Sequence, residues 1–115
     1  MRFLFSVMLC GLAGMAQAGC PGQTQLEMND CAKAEFTRAD ADMNATWDVA
    51  KATMDGLGYG DVLLDAQRKW LAFRDAACAA EISPYEGGSI QPLVAYTCLT
   101  RLTRARSQDL ENFRF

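Results

Sequence analysis

Apolar side chains recur along this chain at spacings of three and four, and three such runs predict three helices. In the first, Met28, Ala32, Phe36, Ala39, Met43, Trp47, Ala50 and Met54 share a face about 100° wide. Glu27, Asp30, Glu35, Asp42, Asp48 and Asp55 fall on the other side as a solvated face, and the pattern predicts a helix from near Gln25 to Asp55. Gly56-Leu57-Gly58-Tyr59-Gly60 ends it, the glycines supplying the left-handed conformations of a C-cap and turn. Asp61 is the expected N-cap of a second helix that runs to about Glu81, with Leu63, Ala66, Trp70, Leu71, Ala77 and Cys78 on its apolar face. Ser83-Pro84-Tyr85-Glu86-Gly87-Gly88-Ser89 has no periodicity and is the main loop. A third helix starts between Ile90 and Pro92, since proline is tolerated in a first turn. Ala95, Cys98, Leu99, Leu102 and Phe113 form its apolar face, with Leu110 at the edge. No strand pattern or internal repeat interrupts the series, so the expected fold is all-α, a three-helix domain.

Four polar residues do not fit this pattern. Gln67 and Arg74 fall on the apolar face of the second helix, Arg106 in the middle of the third, and Asp40 on the margin of the first. A buried polar group without a partner costs roughly 1–3 kcal/mol, and more when charged. The expectation is therefore an internal network in which Asp40, together with Asp75, pairs with one or both arginines. Arginine suits this role because its planar fork bonds a carboxylate bidentately and keeps its charge at any ordinary pH. On the structural reading the network fixes helix register. On the functional reading the same groups line a pocket that captures a carboxylate or phosphate.

The start of the chain belongs to no helix of the domain. Arg2, the apolar run Phe3 to Ala13 and the small-residue site Ala16-Gln17-Ala18 form the pattern of a secretory signal, residues 1–18, leaving 19–115 as the domain. The run is too short to span a bilayer of about 30 Å. Lipidation at Cys20 is the competing reading, and Gln17 stands where a lipoprotein signal carries an apolar residue. Cleavage after Ala18 removes one of 11 basic side chains and none of the 14 acidic ones, so the mature net charge is −4. That balance argues against nucleic acid or an anionic membrane surface as partner and allows a basic protein.

Cys20, Cys31, Cys78 and Cys98 remain after cleavage, an even number in a small exported domain, which reads as two disulfides. The chain has no histidine and no C-x-x-C, which disfavours a metal site. Antiparallel second and third helices would bring Cys78 to Cys98, and Cys20 could fold back onto Cys31. The pairing of Cys20 with Cys98 and Cys31 with Cys78 stays open. Without histidine, and with the cysteines oxidised, no base and nucleophile are available, so neither a catalytic site nor a cofactor is expected. Gly87-Gly88-Ser89 lacks the lysine and preceding strand of a phosphate-binding loop.

Several segments together resemble a known family. They are Glu27-Met28-Asn29-Asp30-Cys31-Ala32, Asp40-Ala41-Asp42-Met43-Asn44-Ala45-Thr46-Trp47, Gln67-x-x-Trp70-x-x-x-Arg74-Asp75-x-x-Cys78, Gly87-Gly88-Ser89 and Cys98-x-x-x-Leu102-Thr103-x-x-Arg106. With the signal sequence, they look like the N-terminal domain of the LprI-type lysozyme inhibitors, small exported bacterial proteins, over essentially the whole mature chain. Trp47 departs from the tyrosine-like residue expected there, and an aromatic is kept. The resemblance implies a helical, disulfide-bonded, periplasmic or secreted domain that is not an enzyme. The motif residues coincide with core and bridge positions, so they speak for the fold before they speak for an inhibitory site. The expected partner is a basic lysozyme, steered by the acidic domain and met by the loop Tyr85, Glu86, Gly87, Gly88 and Ser89. Two other readings are an envelope protein-interaction module without inhibition, and an arginine-lined interior that binds a small anion. A monomer is expected.

Overall fold

The structure is a computed structural model that describes residues 20–115; the expected signal segment, residues 1–18, lies outside them. Three helices follow in order: α1 (Gln25–Gly56), α2 (Gly60–Ile82) and α3 (Gln91–Leu110), with no strand among the described residues. They run up, down and up, so α1 and α3 lie parallel in the most extensive helix contact and α2 lies antiparallel to both. The all-α, three-helix expectation is met; both ends of α1 and α2 and the start of α3 fall within a residue or two of those read from the periodicity, whereas α3 stops at Leu110, short of Phe113, which was expected on its apolar face.

The apolar stripe of α1 is the spine of the core. Ala32, Ala39, Met43 and Ala50 are buried, and Met28, Phe36, Trp47 and Met54 are partly buried between them. Met43 and Ala50 meet Leu63 of α2 and Leu110 of α3 in one cluster, with Trp47, Met54, Trp70 and Phe113 packed around it. Leu110, expected at an edge, is 1% exposed and central. Phe113 lies beyond the end of α3 and folds back against the same cluster. Ala66, expected on the apolar face of α2, is exposed.

Local chemistry explains the helix ends. Thr24 caps α1 in an extended conformation, its Oγ1 accepting the Glu27 N–H at 3.1 Å. The Glu27 carboxylate reaches back to accept the Gln23 N–H at 3.2 Å, a variant of the reciprocal capping box. At the other end, Tyr59 N–H donates to Met54 O at 2.8 Å and Gly58 N–H to Asp55 O at 3.0 Å. This paired closure needs a left-handed residue, and Gly58 supplies it at φ 83°. Gly60 serves a different purpose: a Cβ there would stand 1.6 Å from Asp55 Oδ1, so any side chain at the start of α2 would have to displace the Asp55 carboxylate from its place beside Lys51. The expected N-cap role of Asp61 is corrected. Tyr59 occupies the cap without a side-chain bond, and Asp61 sits in the first turn, where its charge favours the helix dipole.

Two disulfides, Cys20–Cys31 and Cys78–Cys98, close the fold, with Cα–Cα distances of 5.4 and 5.6 Å. The first ties the lead segment to α1, and the second joins the end of α2 to α3 beneath the loop. The crossed alternative pairing is thereby ruled out for this structure. The expected loop is also more regular than its sequence suggests: Ser83–Tyr85 form a 3-10 turn, with Pro84 supplying the fixed φ of a first turn.

Candidate functional site

Two groups of residues stand out beyond the core, one between the helices and one at the end of the bundle. Between the helices, the Arg74 guanidinium lies 5.5 Å from the ring centroid of Phe36 and 5.5 Å from that of Trp70. Its Nη1 donates to Thr103 Oγ1 at 3.4 Å and stands 3.9 Å from Asp40 Oδ1, while its Nε donates to Asp75 Oδ1 at 3.0 Å. Arg74 is well covered, at 11% side-chain exposure, whereas Asp40 and Asp75 are 41% and 64% exposed. The pairing is therefore a covered cation met by carboxylates at the rim, not an internal ion pair.

Arg106 departs from expectation. Among the described residues it forms no salt bridge with Asp40 or Asp75; its Nε donates instead to Gln67 Oε1 at 2.8 Å. The guanidinium also lies 5.8 Å from the Trp70 centroid. Gln67 Nε2 in turn points at Met43 Sδ, 3.8 Å away. Burial pushes the Arg106 guanidinium below its ordinary range, and the charge of Asp109 opposes this. The five expected residues thus split into two linked clusters, Asp40–Arg74–Asp75 and Gln67–Arg106, with Trp70 facing both cations. Phe36 and Thr103 complete the arrangement. Phe36 was legible only as a core position, and Thr103 only as part of a motif. Arg74 and Arg106 line none of the three cavities described among these residues.

At the end of the bundle, Tyr85, Glu86, Gly87, Gly88 and Ser89 are all exposed, yet the loop is held at several points. Gly88 N–H donates to Tyr85 O at 3.0 Å and Gln91 N–H to Gly88 O at 3.2 Å. Gln91 Oε1 accepts the Gly87 N–H at 3.1 Å, and Gly87 adopts φ 77°. Asn29 Nδ2, on α1, donates to Ser89 O at 2.9 Å and is itself positioned by Gln25, whose Nε2 donates to Asn29 Oδ1 at 2.8 Å. The loop therefore rests on α1 as well as on its own ends. Asn29 and Gln91 carry this bracing, and no periodicity could have identified them.

Among the described residues, no cluster of carboxylate and thiol side chains has the arrangement of a metal site. No described helix is long and apolar enough to cross a membrane. The four cysteines are committed to disulfides.

Comparison with known proteins gives consistent results. An uncharacterized protein of Rhizobium meliloti (strain 1021) is 33% identical over 102 residues, covering 76% of this chain and 72% of its own length. No solved structure matches. The family model "Lysozyme inhibitor LprI" matches residues 16–110, a span that holds all three helices, both disulfides, the two arginine clusters and the braced loop. The chain belongs to the LprI lysozyme-inhibitor family.

Proposed function

We propose that this protein is an exported, non-enzymatic lysozyme inhibitor that meets its enzyme through the loop Tyr85–Ser89. The observation that carries the loop assignment is its bracing: Asn29 and Gln91 fix the backbone while Tyr85 and Glu86 face solvent. Holding a contact loop in one conformation before binding reduces the entropy lost on association. An aromatic ring beside a carboxylate suits a sugar-binding cleft in a basic enzyme, because aromatic rings anchor interfaces and the carboxylate complements the positive surface. The mature net charge of −4 would raise the rate of encounter at low salt.

Export is supported by the two disulfides, which form and persist in oxidising compartments, and by the signal pattern of residues 1–18. The protein acts as a monomer in the periplasm or outside the cell, without a cofactor. The two arginine clusters hold the helices in register and take no part in binding.

A cell-wall lysis assay with purified mature protein and a c-type lysozyme tests this reading. Stoichiometric inhibition is expected, and it is lost in a Tyr85→Ala/Glu86→Ala variant that keeps its helical circular dichroism. Inhibition that survives in the folded variant moves the site to another surface, the acidic outer face of α1 being the next candidate. No inhibition at excess protein favours an envelope protein-interaction module that inhibits nothing.

A further inference from the structure

A groove of about 460 Å³ runs along the outer side of the α1–α3 contact, within the size range of small-molecule sites. Its lining comes from α1, from α3 and from Cys20, with no contribution from α2 or from the Tyr85–Ser89 loop. Ala32, Thr97, Thr100 and Ala105 are small and leave the depression, and Leu93 adds an apolar side chain to its lining. On α3 these positions recur at spacings of three, four and five, a stripe that α2 does not cover.

The rim carries cations. Arg101 and Arg104 are neighbours on one face of α3, three residues apart. Arg101 bonds Glu81 and Cys98 Sγ through Nη2 alone, and Arg104 bonds Glu35 Oε2 through Nη2 at 3.0 Å. Among the described residues, Nε and Nη1 of both guanidiniums have no partner. Glu35 also lines the groove, its two oxygens shared between Arg104 at 3.0 Å and Arg38 at 3.4 Å, so two cations face one carboxylate there. The groove thus has an apolar floor and two arginines at its rim, each paired with a carboxylate through Nη2 and each keeping Nε and Nη1 as separate donors for single bonds to an anion.

We propose that this groove binds a small amphipathic carboxylate of the medium-chain acyl type. The acyl body lies on Ala32, Leu93, Thr97 and Ala105, and the head group is held by Arg101 and Arg104. A single negative charge fits better than a dianionic phosphate, because the chain as a whole is acidic and repels added charge. The site is independent of the lysozyme reading and lies on a different surface from the loop.

Titration of ¹⁵N-labelled mature protein with decanoate, kept below its micelle concentration, tests the proposal by amide chemical shifts. Saturable one-to-one binding is expected, with the shifts concentrated at Ala32, Glu35, Thr97, Thr100, Arg101 and Arg104. Acetate, which lacks the acyl body, should give no saturable shift, and decanol, which lacks the charge, should bind at least tenfold more weakly. Arg104→Gln should weaken decanoate about tenfold, the loss of one charge-assisted contact. Ala105→Trp should block the groove, and Thr97→Trp is a second blocking variant should the first fail to fold. Absence of saturable shifts, shifts mapping elsewhere, or binding unchanged in a folded blocking variant would overturn the site. Decanol binding as tightly as decanoate, or Arg104→Gln without effect, would overturn the assignment of an anionic ligand.

Discussion

At Arg74 the guanidinium lies between two aromatic rings, and the carboxylates that reach it are 41% and 64% exposed. Solvent screens such rim charges, so Asp40→Asn should change stability by less than about 1 kcal/mol. Arg74→Lys should cost more, about 1–2 kcal/mol, because a lysine keeps the charge but loses the planar stacking and the bond to Thr103. Denaturant melts of the two variants separate stacking from charge pairing as the main contribution. Gln67→Leu leaves the half-buried Arg106 without its only hydrogen-bond partner among the described residues and should cost about 1–3 kcal/mol in the same experiment. Thr100 has the opposite character: its hydroxyl is buried with no partner among the described residues, so Thr100→Val should be neutral or stabilising. These residues also show what a sequence reveals about a polar network. Periodicity identifies Gln67, Arg74 and Arg106 as polar groups on apolar faces. It cannot say that Arg106 finds an amide instead of a carboxylate, because that depends on how far α2 and α3 are rotated against each other.

The helices were legible because each carries a long apolar stripe with clear stops. The 32-residue α1 follows its stripe from end to end, and Gly58 supplies the left-handed residue that its closure requires. Gly58→Ala should therefore lower stability by about 1 kcal/mol or more, a loss a thermal melt would detect. Thr24→Ala removes the cap of α1 and should cost about 1 kcal/mol. Asp61 misled because an aspartate after a glycine-rich turn looks like a cap. The helix instead starts two residues earlier, with Tyr59 at the cap and Gly60 packed against the Asp55 side chain. The loop is the least legible element. Its bracing by Asn29 comes from a residue 60 positions away, and no local pattern encodes such a contact.

For the whole molecule, the two disulfides differ in accessibility and so in expected behaviour. Cys78 and Cys98 are 4% and 1% exposed, while Cys20 and Cys31 are only partly covered. A mild thiol reductant should open Cys20–Cys31 first, a sequence that alkylation and mass spectrometry would resolve. Replacing Cys78 and Cys98 together with alanine should cost about 3 kcal/mol, as expected for the loop that bridge closes. The same bridge anchors the base of Tyr85–Ser89, so the stability of the bundle and the rigidity of the proposed contact surface are linked. Hydrogen–deuterium exchange on the mature protein, with and without a c-type lysozyme, tests the central claim most directly. The expected result is protection on binding at residues 85–89 and at the adjoining first turns of α1 around Asn29. Protection confined to the acidic face of α1 or to the α1–α3 groove, with the loop unchanged, would contradict it.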